Sequence, residues 1–120
     1  MGVRNIIVDT DGKCWDLISL FLEGGATGLF PVEVAAGMDV VEVRKRYPRL
    51  QIMGGIDKRA LSKGKRKIDK EFEAKIRFMV RKGGYIPHVD HQVPPDVSLD
   101  NFVYYRNRIE QRIQVHDLRK

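Results

Sequence analysis

Residues 50–91, LQIMGGIDKRALSKGKRKIDKEFEAKIRFMVRKGGYIPHVDH, decide the fold of this chain. They open on LQIMGGID, a short apolar run rich enough in branched side chains to form a buried strand. Ile68, Phe72, Ile76, Met79 and Val80 follow at the period of an amphipathic helix, which Gly83 and Gly84 stop. YIPHVDH is then a second apolar run. A strand, a helix and a strand in succession make a βαβ unit, which joins parallel strands by a right-handed crossover.

The same unit recurs outward in both directions. NIIVDTD is a β-branched run, and in KCWDLISLFLEGG the residues Trp15, Ile18, Phe21 and Leu22 share a helical face. GLFPVEVA is the next strand, and DVVEVRKRY a helix ended by Pro48. After YIPHVDH, Ser98 is a good N-cap for a last helix with Phe102, Tyr105, Ile109 and Ile113 on its inner stripe. Four strand-helix units with parallel strands are expected, without a linker or internal boundary, so residues 1–120 read as one domain. Length and periodicity alone also allow a small flavodoxin-like sheet.

Composition narrows the function classes. The chain is 42% hydrophobic and 32% charged, ordinary for a globular domain. The single cysteine, Cys14, excludes an intrachain disulfide and a Cys-paired zinc site and reads as a buried structural thiol in a reducing compartment. No signal-like start follows Met1 and no apolar stretch reaches membrane-spanning length, so a cytoplasmic location without membrane partners is expected. The net charge of +6 centres on SKGKRKIDK, residues 62–70, but Glu71 and Glu73 follow at once. Without interleaved aromatics or a docking motif, this reads as a solvated helix face, and a nucleic-acid partner is not expected.

The two classes of connection differ in content. Helix-to-strand turns (EGGATG, RYPRL, RKGGY) carry capping glycines, a proline and surface charge. Strand-to-helix turns hold Asp9, Asp11, Glu33, Asp39, Asp57, Asp90, His91 and Asp96. Parallel strands end on one side, so these groups converge on one rim, which is the expected functional face. Asp9 and Asp11, two apart on a strand, point the same way, and with His91 and Glu33 they could hold zinc, manganese or iron. Alternatively Asp11 caps the helix after Gly12 and Asp9 makes a structural hydrogen bond. Asp90 either orients the His91 imidazole or caps the turn at Pro94 and Pro95. His88 shares a strand face with Asp90 and is expected to have no catalytic role. Gly54 and Gly55 either offer backbone N–H groups to an anion or let the chain turn before Ile56 and Asp57.

GLFPVEVAAGMD, MGGIDKRALSKG and GGYIPHVDHQVPPDVSLDNFVYY, in this order, resemble the C-terminal half of the uroporphyrinogen decarboxylase superfamily, which also contains corrinoid-linked methyltransferases. The resemblance covers residues 5–106. It implies half of a (β/α)8 TIM barrel, with the superfamily's remaining catalytic residues on an N-terminal half that the chain lacks. It also implies lyase chemistry on a tetrapyrrole in porphyrin biosynthesis, with His91 as the histidine on the last barrel strand beside the substrate and Asp90 next to it. Gly54, Gly55, Asp57 and Glu33 become the substrate-facing set. The decarboxylase reaction requires no cofactor. The methyltransferase branch uses a zinc site, a His-x-Cys after its fifth strand and a Cys on its last; Asp9, Asp11 and His91 stand at those positions. That branch implies zinc or another divalent metal and a corrinoid-linked substrate. A non-catalytic half-barrel that only assembles with a partner is the third reading. Two open sheet edges, at residues 6–8 and 85–87, lead to the expectation of a homodimer or a complementary half-barrel.

Overall fold

The computed structural model describes residues 2–118 and contains one sheet of four parallel strands: β1 (Ile7–Asp9), β2 (Gly28–Val32), β3 (Gln51–Ile56) and β4 (Tyr85–Val89). Their spatial order is β1-β2-β3-β4, the order of the chain. A doubly wound sheet reverses direction at a switch point, whereas sequential order with right-handed crossovers puts every helix on one face. The flavodoxin-like alternative is thereby excluded, and the arrangement is that of half a (β/α)8 barrel.

The helices are α1 (Ile18–Glu23), α2 (Val40–Arg46), α3 (Lys58–Ser62), α4 (Lys65–Glu71), α5 (Arg77–Lys82) and α6 (Leu99–Asp117). Their starts follow local chemistry. The Asp39 carboxylate accepts from the N–H groups of Val41 and Glu42, Asp57 accepts from Arg59 N–H, and Ser98 Oγ accepts from Asn101 N–H. Two of the rim carboxylates, Asp39 and Asp57, are therefore N-caps. The helix between β3 and β4 departs from a uniform period. It breaks at Lys63 and Gly64, and a π-helical turn, Phe72–Ile76, joins α4 to α5. The wider turn brings Lys75 inward, where it is buried together with Phe72 and Ile76.

Pleat alternation sorts the sheet. Val8, Leu29, Ile52 and Tyr85 form one register row facing the helices. Leu29 and Ile52 join Ile18, Val40, Val43 and Met79 in one core, while Ile56 and Val89 pack with Ile68, Phe72, Tyr105 and Ile109 in a second. Burial raises the Tyr105 hydroxyl to about 12, and it raises the Tyr85 hydroxyl, which donates to Gly54 O at 2.7 Å. The other face carries Ile7, Phe30, Met53 and Ile86 with no helix over it among the described residues, and Ile7 and Ile86 are 46% and 55% exposed. At the start of the strands, the buried Arg44 guanidinium donates to the carbonyls of Pro48, Leu50, Gly83 and Gly84, tying the end of α2 to the turn before β4. Ile113 is 39% exposed, because α6 runs past the second core.

Candidate functional site

The strand ends open onto a cleft of about 460 Å³ on the helix-free side of the sheet. Asp9 and Asp11 line one wall, His88, His91 and Gln92 the other, and Phe30 and Pro31 the middle. The sheet is curled enough for its first and last strands to meet across this mouth: His91 Nε2 lies 3.7 Å from Asp11 Oδ1. The converging rim read from the sequence is thus present in this pair. His88 belongs to the cleft as well. Its ring meets Phe30 edge to face with centroids 5.6 Å apart, and its Nδ1 lies 2.7 Å from Val89 O. Read as a hydrogen bond, that contact has Nδ1 donating to the carbonyl.

Asp90 faces away from the cleft. It is fully buried; Oδ1 accepts from Lys58 N–H at 2.9 Å and Oδ2 from Ala35 N–H at 3.2 Å. Neither expected role, orienting His91 or capping the turn at Pro94, describes these bonds. Strand pairing ends at Val89, so the pleat no longer dictates which way Asp90 and His91 point. Asp90 turns under the sheet end while His91 joins His88 in the cleft.

The remaining expected ligands also bind the loops to one another. Glu33 Oε2 accepts from Gly12 N–H at 2.7 Å, and its Oε1 stands 4.0 Å from Lys58 Nζ. Asp57, besides capping α3, forms a two-pronged ion pair with Arg59. Burial alone would raise the Asp57 carboxyl, but the side-chain and backbone hydrogen bonds from Arg59, with the charges of Arg59 and Lys75, outweigh it and hold the group below its ordinary value. Beneath this loop the sequence reading missed a buried network. Lys75 Nζ donates to Gly55 O at 3.0 Å and to Glu71 Oε2 at 2.7 Å, and Glu71 Oε2 also accepts from Asp57 N–H. The i,i+4 spacing of Glu71 and Lys75 was visible in the sequence; their inward direction follows from the π-helical turn.

Gly54 and Gly55 have φ of +110° and +84°. A Cβ would lie 2.8 Å from Val32 N at Gly54 and 2.5 Å from Val40 Cβ at Gly55. Both glycines are required by backbone conformation and close packing at the end of β3.

Among the described residues no group of three or more His, Cys, Asp and Glu side chains is placed to hold a metal ion. Asp9, Asp11 and His91 therefore do not fit a divalent cation as one donor set. β1 ends at Asp9, so the alternation that would align Asp11 with it does not extend that far. Nor is any helix among the described residues long and apolar enough to cross a membrane.

Part of the chain is similar to a curated protein named uroporphyrinogen decarboxylase, from Hydrogenobaculum sp. (strain Y04AAS1), at 33% identity over 64 residues. The matched segment is 53% of this chain and 18% of that protein. No protein-family model and no solved structure matches the chain.

Proposed function

We propose that the chain supplies half of a uroporphyrinogen decarboxylase-like barrel and takes part in carboxyl-lyase chemistry on a tetrapyrrole. The observation that carries this reading is the His91–Asp11 pair, set in a cleft at the carboxyl ends of four sequentially ordered parallel strands. Partial similarity to a protein named for that activity supports it. Enzymes on parallel barrels place their chemistry at this end of the strands.

Loss of carbon dioxide from a side-chain carboxylate leaves an electron pair on carbon that must gain a proton. Imidazole is the side chain that gives and takes protons near neutral pH, and in this reading His91 delivers the proton, with Asp11 3.7 Å away across the mouth. Phe30, Pro31 and the His88 ring offer the apolar and edge-on contacts that a flat macrocycle requires. A complementary half-barrel, either a separate chain or a second copy, covers Ile7, Phe30, Met53 and Ile86 and pairs with the free edges of β1 and β4.

The test joins this chain to the N-terminal half of a uroporphyrinogen decarboxylase and follows porphyrinogen carboxyl loss by chromatography. Decarboxylated products are expected only when both halves are present, with a fall of about 100-fold in His91→Ala, the scale of a lost proton donor. An assembled barrel that turns over equally well without the imidazole refutes the assignment of His91. Failure of the two halves to associate refutes the half-barrel reading.

A further inference from the structure

The helical layer holds a second recess, at the opposite end of the sheet from the mouth. Where α5 leads into β4 and α6 finishes, a cavity of about 480 Å³ is lined by Arg77, Val80, Arg81, Arg112, Val115 and His116. Arg77 and Arg81 stand four apart on α5, and Arg112 and His116 four apart on α6. Each helix thus presents a basic pair on one face, and the two pairs line the same recess. The like charges of Arg77 and Arg81 at this spacing repel, so the arrangement disfavours α5 unless an anion answers it.

Several other cations of the chain are answered by neighbouring groups. Arg44 is held by four carbonyls, Lys75 by Glu71, and Arg108 by Asp69 and Glu73. Arg77, Arg81 and Arg112 have no ion pair or hydrogen bond among the described residues. A smaller recess of about 190 Å³ shares Arg77, Arg112 and Val115 and continues the groove toward Arg108. The groove is therefore elongated, with guanidinium groups spaced along it and the Glu73 carboxylate at its Arg108 end. Guanidinium forks match the paired oxygens of phosphate and carboxylate groups.

We infer that the α5–α6 seam binds a small ligand carrying two or more phosphate groups. Its position makes it independent of the mouth, so the two assignments stand or fall separately. The experiment titrates the whole chain with inorganic tripolyphosphate at about 100 mM salt, where loose surface attraction is screened, and follows the arginine side-chain N–H signals by nuclear magnetic resonance. The expected result is one saturating curve shared by Arg77, Arg81 and Arg112. Arg77→Gln with Arg112→Gln should weaken binding by about tenfold or more, as loss of charge-assisted bonds does. The charge-matched pair Arg66→Gln with Lys67→Gln on α4 should leave it within about twofold. Equal losses in the two double variants, shifts spread over all basic residues, or a curve that never saturates would overturn the inference. Orthophosphate and citrate serve as comparison probes: binding as tight as that of tripolyphosphate would refute the requirement for several phosphate groups.

Discussion

His91 on the loop after β4 stands 3.7 Å from Asp11 on the loop after β1, so the first and last strands of the sheet meet through side chains across the mouth. The pair is solvent-accessible, with side chains 40% and 67% exposed, and an exposed ion pair contributes little to stability. Asp11→Asn should therefore shift the folding free energy by less than about 0.5 kcal/mol in urea titrations. It should nevertheless move the ring chemical shifts of His91 followed by nuclear magnetic resonance at fixed pH, because the two side chains face each other across the mouth. Unchanged ring shifts would show that the two groups do not meet in solution.

Asp90 gives the opposite expectation. Asp90→Ala leaves the N–H groups of Ala35 and Lys58 without their acceptor, which should cost about 3 kcal/mol. Hydrogen exchange tests the cause as well as the size: these two amides should lose protection before the sheet amides do. Uniform loss of protection would mean that Asp90 supports the core in some other way.

Gly55→Ala combines a left-handed backbone, at φ +84°, with a Cβ 2.5 Å from Val40 Cβ, and should cost about 3 kcal/mol or more. Gly25→Ala has a similar φ of +96° but open space around its Cβ, and should cost about 1 kcal/mol. The difference between the two variants in chemical denaturation isolates the packing contribution. Equal costs would place the whole requirement in the backbone.

The Asp57 carboxyl is held below its ordinary value in the folded chain. A depressed folded value contributes stability above the unfolded value, about 3.9, and that contribution disappears as the pH falls through the folded value. Asp57→Asn keeps the N-cap but removes the charge. The variant should be less stable than the parent at neutral pH, and the gap should narrow under acid. A gap that widens below about pH 4 reverses the sign of this linkage.

Lys75 and Glu71 form a buried pair beneath β3, with Lys75 only 7% exposed. Lys75→Met should destabilise by about 3 kcal/mol, because it removes the charge that compensates Glu71. Glu71→Gln added to it should recover part of the loss, since the amide oxygen can still accept from Asp57 N–H. Double-variant stability no better than that of Lys75→Met alone would show that the charge of Glu71 is already compensated by solvent.

Much of this architecture was legible in the amino-acid order. Alternating short apolar runs and helical stripes required parallel strands joined by helices, since the period of each segment sets which face it can bury. The cap at Ser98 and the glycine pair at the end of β3 follow from local chemistry, and so does the meeting of His91 with Asp11 at the strand ends, whereas Asp39 and Asp57, read as rim groups, serve as N-caps. Tertiary structure decided the rest. Sequential strand order, the evidence for half a barrel over a doubly wound sheet, depends on which strands pair, and a periodic pattern is the same for either pairing. The directions of Asp90 and His91 depend on the residue at which strand pairing stops, because beyond Val89 the pleat no longer dictates the facing of side chains. Lys75 and Arg44, which no local pattern marks out, are buried because distant carbonyls of Gly55, Gly83 and Gly84 are brought to them, a juxtaposition set by long-range packing that local sequence does not encode.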